Sequence, residues 1–460
     1  MINLREEVRA NDLTKGHRIF LLILVSMGSS IIYAPAYLKN VIYDPLMEAL
    51  NASNEQIGSL ITAYAITATI CYLPSGIIAD KIRMRTLAWV GFSSTAVLTF
   101  MYGLLPSMVM LHLIFVGMGV TTILIWWGIR FKLVRLISEE EDYSRNIGLS
   151  YGVYGAAGLI MGVVQLAIIS WMATNMDMAV RSLIWILAGI ILVLGVLSFL
   201  FIPKFEGEIA NTKENGFSLS ELRDALKSPV VWIAAATMFC VYFYYTGVSY
   251  TTPYLTSVLG ASVGIATFVS VIRTYGVTLL SGPAFGFMAK AVNSPSKIIA
   301  AGSLVTAISI VVLTFLPSNQ AATIIAALII VLLGFIANGV FGIVSSQLTE
   351  GKVPLTIFGT ATGLLSVVGF LPDTFSSKWF GAMIDEKGND AYPQIFGILA
   401  GVAVLAMVCA IALILYVRRT NARTADAVIE AEIAAQGTIP PAAAEAALAE
   451  TAVEVEPTRG

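Results

Sequence analysis

Three ionisable side chains lie inside long apolar stretches of this sequence, where a charge is difficult to stabilise. Arg130 and Arg273 each lie within a mainly apolar run, and Asp373 lies within a third. An Arg or Asp at the centre of a membrane helix costs about 2.5–3.5 kcal/mol on insertion scales. Each of the three therefore needs an opposite charge, a water-filled cavity or a bound ligand.

The two arginines have the chemistry of anion anchors. A guanidinium binds a carboxylate, sulfonate or phosphate through two parallel hydrogen bonds. Arg273 lies near the middle of its run, so it is predicted to be the principal anion anchor, with Arg130 as its partner. Two alternatives stay open: Arg130 extends to the headgroups beside Lys132 and Arg135, or Arg273 forms a structural ion pair with Asp373.

Asp373 has the chemistry of a proton-binding site. Burial penalises its charged form, whereas a nearby arginine would stabilise that form, and the two effects compete. A carboxylate balanced in this way can gain or lose a proton as its surroundings change. We therefore predict that Asp373 is the proton-coupling residue.

Further polar side chains near the middle of apolar runs are predicted to line a hydrated cavity and bind a ligand. A buried tyrosine hydroxyl needs a hydrogen-bond partner, which such a cavity supplies. Lys39 and Lys378 join the predicted set, although they lie near the ends of their runs and could extend to the headgroups instead. The remaining predicted ligand-binding residues are Tyr33, Tyr64, Tyr151, Tyr154, Tyr244, Tyr245 and Asn338.

The composition indicates what must position these residues. The 460 residues are 57% hydrophobic and only 12% charged, whereas a soluble protein carries about 25% charged residues. An apolar run of about 20 residues crosses the hydrocarbon core as a helix. We predict an all-α membrane protein with twelve transmembrane helices, at residues 18–40, 55–79, 86–106, 109–134, 146–172, 181–202, 230–255, 264–289, 297–316, 321–348, 356–380 and 393–417.

A polar stretch divides the twelve predicted spans into six and six. Lys and Arg concentrate in the loops of one side, which by the positive-inside rule is cytoplasmic, so both termini are predicted to be cytoplasmic. The predicted parts are a cytoplasmic N-terminus (1–17), an N-terminal six-helix bundle (18–202), a cytoplasmic linker (203–229), a C-terminal six-helix bundle (230–417) and a cytoplasmic tail (418–460).

The loop after the second predicted span carries a recognisable pattern, Gly76-Ile-Ile-Ala-Asp80-Lys81-Ile-Arg83-Met84-Arg85. It resembles the signature of the major facilitator superfamily, which reads roughly G-x-x-x-D-[RK]-x-G-[RK]-[RK]. Arg83 and Met84 stand where the family often has Gly and a basic residue. An ordinary basic cytoplasmic loop is the alternative. The resemblance implies a gating motif formed by Gly76, Asp80, Lys81, Arg83 and Arg85.

The resemblance also implies two parallel six-helix bundles and transport by alternating access. Helices 1, 4, 7 and 10 of such proteins line the cavity, which places Arg130 on a lining helix. The chain is similar to bacterial organic-anion members, of which those resembling monocarboxylate and oxalate carriers have an arginine in helix 8, as Arg273 would be. The same resemblance implies a bacterial inner-membrane location.

These observations together predict a secondary active transporter of a small organic anion (a carboxylate, sulfonate or sugar acid), coupled to protons. The alternatives are an exporter of lipophilic or cationic compounds and a transport-dead membrane sensor. The sequence contains no Walker loop, metal-ligand cluster or catalytic constellation, so we expect no enzyme activity and no cofactor. The expected partners are the anion, protons and the lipid bilayer, without nucleic acid, around a monomer. The substrate and the direction of transport stay open.

Overall fold

The computed structural model describes residues 7–138, 143–209 and 219–437. Twelve long helical segments, named α1 to α12, dominate these residues, and the predicted all-α class is confirmed. Their bounds are α1 Lys15–Ile32, α2 Asn54–Lys81, α3 Met84–Tyr102, α4 Met108–Leu136, α5 Tyr143–Trp171, α6 Met176–Phe201, α7 Pro229–Ser257, α8 Val263–Gly276 with Thr278–Ala291, α9 Pro295–Thr314, α10 Gln320–Glu350, α11 Leu355–Gly369 with Ser376–Lys387, and α12 Ala391–Gly437.

Hydropathy alone accounts for most of these segments as membrane spans. Eight described stretches are long and apolar enough to cross a membrane, and counting α8 as one span, despite its 43° bend, gives nine. One of the eight, Thr360–Ala422, covers most of α11 together with α12. The two remaining segments, α2 and α3, are not among these apolar stretches, and we assign them as membrane spans from their position in the fold.

Helices α1–α6 form one bundle and α7–α12 form the other, and glycines permit the closest contacts between the two. A Cβ added to Gly158 of α5 would lie 2.3 Å from the Tyr275 ring of α8, and one added to Gly162 would lie 2.7 Å from Val271. Apolar side chains gain little by leaving lipid for one another, so small residues that allow close packing hold membrane helices together.

One side of the molecule carries the beginnings of α1 and α7, and we call it the termini side. There the strand Glu7–Val8 pairs in parallel with Lys204–Phe205, directly after α6. The predicted linker also contains a short helix, Leu219–Lys227, and its residues 210–218 lie outside the described residues. Helix α12 runs past residue 417, the predicted end of its span, to Gly437, and residues 438–460 of the predicted tail lie outside the described residues.

The opposite side, which we call the distal side, carries the connections from α1 to α2 and from α7 to α8. Helix α1 ends at Ile32, eight residues before the predicted end of span 1, and the chain then forms the turn Leu38–Asn40 and the short helix Tyr43–Leu50. Pro35 lies just after the end of α1, and a proline disfavours helical backbone at the residue before it. The segment 33–40 therefore enters the space between the bundles as non-α-helical chain.

Candidate functional site

Arg273 lies at the bundle interface, in a π-helical turn of α8 formed by Ile272–Gly276. Its side chain is only 4% exposed. Gly334 of α10 makes room for it, since a Cβ there would lie 2.6 Å from Cγ of Arg273. π-helical turns occur frequently at functional sites.

Oxygen atoms surround the Arg273 guanidinium. Nη1 donates hydrogen bonds to the carbonyl of Val248 at 3.1 Å and to the hydroxyls of Thr251 and Thr252 at 3.2 and 3.1 Å. Nη2 donates to the carbonyl of Asn40, which belongs to the other bundle. Within the described part of the chain, Arg273 forms no ion pair with Asp373, so the structural-pair alternative is not the arrangement in this state.

Asp373 also joins the two bundles. It lies in the 3₁₀ turn Leu371–Thr374, which interrupts α11, and it is 3% exposed. Its Oδ2 accepts hydrogen bonds from the hydroxyl of Tyr242 on α7 at 2.7 Å and from the hydroxyl of Tyr37 at 3.1 Å. Tyr37 belongs to the segment 33–40 of the first bundle. The carboxylate is thus held from both sides of the interface.

Lys39 is close to the same charges. It is 4% exposed, and its Nζ lies 4.8 Å from the ring centroid of Tyr250. Lys39 interacts electrostatically with both Asp373 and Arg273. The alternative in which this lysine extends to the headgroups does not describe this state, because the chain turns inward before it reaches Lys39.

Arg130 belongs to a second group, formed by α4 and α5. Its guanidinium carbon lies 4.4 Å from the ring centroid of Tyr151 and 5.0 Å from that of Tyr154, and Nη2 lies 3.4 Å from the Ser150 hydroxyl. The π-helical turn Val120–Trp126 ends four residues before Arg130. Three of the predicted residues, Arg130, Tyr151 and Tyr154, are therefore brought together.

Six aromatic residues extend from one bundle to the other between these two groups, and we call them the aromatic layer. Tyr72 of α2 and Phe370, in the break within α11, have ring centroids 5.2 Å apart at 28°, and they belong to different bundles. Tyr72 also contacts Trp127 of α4 at 5.2 Å. The layer consists of Tyr72, Trp127, Tyr242, Tyr245, Phe341 and Phe370.

Four other predicted residues lie within single bundles, two in the first bundle and two in the second. The Tyr64 hydroxyl lies 2.8 Å from the Thr122 hydroxyl, and the Tyr33 hydroxyl donates to the Thr122 carbonyl at 3.4 Å, so both lie beside the π-helical turn of α4. Tyr244 and Asn338 bond inside the second bundle, to Ser303 and to Thr278 with Gly334 respectively.

Lys378 lies apart from both groups. Its side chain is 52% exposed on the distal side and pairs with Glu55 at 3.6 Å. The position suits an ion pair at the edge of the interface, and the structure does not bring Lys378 together with Arg130, Arg273 or Asp373.

The bundles are closed against each other on the distal side. Asp385 of α11 accepts hydrogen bonds from the backbone N–H groups of Asn54 and Glu55 at 3.0 and 2.7 Å, at the beginning of α2. Backbones meet directly beside it, since a Cβ on Gly58 would lie 2.2 Å from the Ser377 carbonyl oxygen, and one on Gly381 would lie 2.2 Å from the Asn54 carbonyl oxygen. A carboxylate at a helix N-terminus satisfies unpaired N–H groups and complements the helix dipole.

The predicted gating motif lies on the termini side. Arg83 donates to Glu7 and to Glu208, and the N–H of Met84 donates to the same Glu208 at the beginning of α3. Arg85 donates from Nε to the carbonyl of Ile202 at 2.6 Å. The loop therefore binds the N-terminal strand and the start of the linker. Gly76 and Asp80 lie in the last turns of α2, and the side chain of Asp80 lies outside the described side chains.

A further ion pair joins the N-terminal segment to the start of the linker. Arg9 donates to both carboxylate oxygens of Glu206, and this hydrogen bonding lowers the pKa of Glu206 below its usual range. In the same way, the hydrogen bond from Arg83 to Glu7 raises the pKa of Arg83. Both shifts favour the charged forms of Arg83 and Glu206.

The comparisons with known proteins agree with this architecture. The model of the Major Facilitator Superfamily matches residues 19–377, and the chain belongs to that family. Inner membrane protein YqcE of Escherichia coli (strain K12) is 27% identical over 410 residues, covering 88% of this chain and 95% of YqcE. Inner membrane protein YihN of the same organism is 24% identical over 407 residues, covering 87% and 96%.

Solved structures show the same fold at low identity. A bacterial homolog of the human lysosomal transporter Spinster, in an inward-facing and unoccupied conformation, matches with a TM-score of 0.65 at 16% identity, covering 88% of this chain and 98% of its own. The nucleoside transporter NupG matches with a TM-score of 0.67 at 14% identity, covering 86% and 99%. The chain is thus a multi-pass membrane protein of a transporter family.

Proposed function

We propose that this protein is a secondary active transporter that moves a small organic anion, a carboxylate, sulfonate or sugar acid, by alternating access coupled to protons. In this proposal the distal side faces the periplasm, because Lys and Arg concentrate in the loops of the termini side. A closed distal side then leaves substrate to enter or leave through the cytoplasmic side.

An excess of positive charge in the interior supports an anionic substrate. Among the residues that the structure describes, Lys39 and Arg273 are buried at the bundle interface with one carboxylate, Asp373. Charges removed from water are costly unless they are balanced. A bound anion would supply the missing negative charge, which a cationic substrate would not.

The geometry favours Arg130 over Arg273 as the anchor in this state. The contacts described for Arg130, with the rings of Tyr151 and Tyr154 and the hydroxyl of Ser150, all lie within the first bundle. Arg273 instead donates to carbonyls and hydroxyls of both bundles. In the proposal, Arg273 contributes to distal closure and meets the anion only when that contact opens, while Asp373 carries the coupled proton.

A thermal-shift screen of the purified protein against carboxylates, sulfonates and sugar acids tests the proposal. A ligand at one hundred times its Kd stabilises the protein by about 2.7 kcal/mol. Loss of charge-assisted hydrogen bonds costs about 1.5–3 kcal/mol, so Arg130→Ala should weaken binding about 10- to 150-fold. Arg181→Ala is the matched control, because Arg181 stacks on Trp185 at 5.7 Å, on α6, and should leave binding unchanged.

Transport of a confirmed ligand in proteoliposomes then tests coupling. Asp373→Asn should still exchange one anion for another but should lose accumulation driven by a proton gradient. Stabilisation by lipophilic cations, with no response to any anion, would refute the proposal and favour an exporter of cationic compounds.

A further inference from the structure

The aromatic layer lies beside Arg130 and has no assigned role in the charge-based argument above. We propose that it is a binding slot for the body of the substrate, and that the substrate is an anion whose body is a ring with a flat face. This inference rests on the proposed function, because it takes Arg130 as the group that binds the anionic end.

The first observation is that the layer is built from both bundles. Tyr72 and Trp127 come from α2 and α4, and Phe370 lies in the break within α11, yet Phe370 contacts both of them, at 5.2 and 6.3 Å between ring centroids. Alternating access requires the bundles to move relative to each other. In the proposal the Tyr72–Phe370 stack separates during this motion, and a flat ring between the two faces replaces the contact that is lost.

The second observation is that five of the six side chains are half-buried although they lie at the bundle interface. Tyr72, Trp127, Tyr245, Phe341 and Phe370 all keep part of their surface accessible. Side chains in protein interiors are close-packed, with few gaps beside them. A partly open set of ring faces between two bundles is suited to bind a ligand.

The third observation is the distance to the charge. Trp127 precedes Arg130 by three residues on one helix, so the two lie on the same face, about 4.5 Å apart along the helix axis. In the proposal, the ring of an acid whose charged group is attached directly to that ring lies beside Trp127, and the charged group is bound by Arg130, about one helical turn further along α4. On the other side of the layer, Tyr242 donates its hydroxyl to Asp373 at 2.7 Å, so a bound ring would also contact the partner of the proton site.

Matched pairs of anions test the slot. Benzoate and heptanoate have the same charge and the same number of carbon atoms, but only benzoate has a ring. Glucuronate and gluconate form the corresponding pair of cyclic and acyclic sugar acids, and the two pairs distinguish an aromatic from a sugar ring. Each aromatic contact corresponds to about two- to twelvefold in affinity, so we expect the cyclic member of at least one pair to bind about fivefold or more tightly.

Variants then assign this preference to the layer. Tyr72→Leu and Phe370→Leu keep an apolar side chain but remove a ring face, so they should bring the cyclic-to-acyclic ratio close to one. The matched control is Phe100→Leu, because Phe100 stacks on Trp185 at 5.8 Å on the exposed surface of α3, and it should keep the wild-type ratio. The ratio is measured within one preparation, so partial loss of folded protein does not change it.

The outcomes separate the two proposals. Equal affinity within both pairs, tighter binding of the acyclic members, or no binding of either pair would overturn the aromatic slot. The proposed anion transport would still stand if other anions in the wider screen stabilise the wild-type protein and do not stabilise the Arg130→Ala variant. If no anion in the screen stabilises the protein, both the aromatic slot and the proposed anion transport are overturned.

Discussion

The direct backbone contact between α2 and α11 makes the distal closure sensitive to a single methyl group. A Cβ on Gly58 would lie 2.2 Å from the carbonyl oxygen of Ser377, 2.5 Å from its carbonyl carbon and 2.7 Å from Cα of Lys378. All three neighbours are backbone atoms, which cannot rotate away. Gly58→Ala therefore requires the two helices to move apart.

The cost can be estimated from packing. Non-bonded carbon atoms sit about 3.5–4.0 Å apart, so the helices must separate by roughly 1 Å at this point. Inserting a methyl group into a well-packed contact costs about 1–3 kcal/mol. The cost falls only on the distally closed state, so the equilibrium should shift toward the distally open state by about 5- to 150-fold.

A reporter cysteine measures this shift. Ser249 is 5% exposed beside the Arg273 contact, and its hydroxyl makes no hydrogen bond among the described residues, so Ser249→Cys is a mild change. The natural Cys71, Cys240 and Cys409 would be replaced by alanine. A membrane-impermeant maleimide added from the distal side should then label the Gly58→Ala protein about 5- to 150-fold faster.

Two further variants show whether the contact itself is responsible. Gly381→Ala changes the other helix of the same contact, because its Cβ would lie 2.2 Å from the Asn54 carbonyl oxygen. It should also accelerate labelling from the distal side. Gly401→Ala on α12 has no atom within 4 Å of the new Cβ and should leave the rate unchanged. An unchanged rate in a well-folded Gly58→Ala protein would refute the reasoning.

Two other predictions concern the carboxylates that bind helix N-termini. Asp385→Ala removes the acceptor at the beginning of α2, and loss of such a cap costs about 0.5–2 kcal/mol. Because this cost falls on the distally closed state, the labelling rate of the Ser249→Cys reporter should rise about 2- to 30-fold. Glu208 has a fully buried side chain that binds the N–H of Met84; Glu208→Gln should cost about 1–3 kcal/mol and expose the start of the linker to limited proteolysis. Glu206→Gln changes an exposed carboxylate and should leave proteolysis unchanged.

Much of the fold can be predicted from the sequence, because lipid imposes simple rules on it. A membrane-spanning chain must satisfy its backbone hydrogen bonds internally, so long apolar runs become helices. The group around Arg130 joins residues that the sequence singled out one by one, since Arg130 lies on α4 and both tyrosines lie on the next helix, α5. The motif after α2 identified the family, which the comparison with the family model confirmed.

The surroundings of Asp373 could not be predicted. Its partners Tyr37 and Tyr242 are 336 and 131 residues away in sequence, and no local pattern indicates such pairings. The end of α1 was also misjudged, because the apolar run continues to residue 40 while the helix stops at Ile32. Pro35 indicates an earlier end of the helix, because a proline disfavours helical backbone at the residue before it. With that earlier end, Lys39 would not have been placed at the membrane surface.

The segment 33–40 connects the candidate site to the distal closure. Tyr37 donates to Asp373, and the Asn40 carbonyl accepts from Arg273, so two charges of the second bundle hold neighbouring residues of the first. A ligand shifts a conformational equilibrium only through interactions that differ between the states. Under the proposed function, an anion that takes hydrogen bonds from Arg273, or a proton that neutralises Asp373, would weaken contacts that exist only when the distal side is closed. The same few residues would then both bind the cargo and determine when the distal side opens.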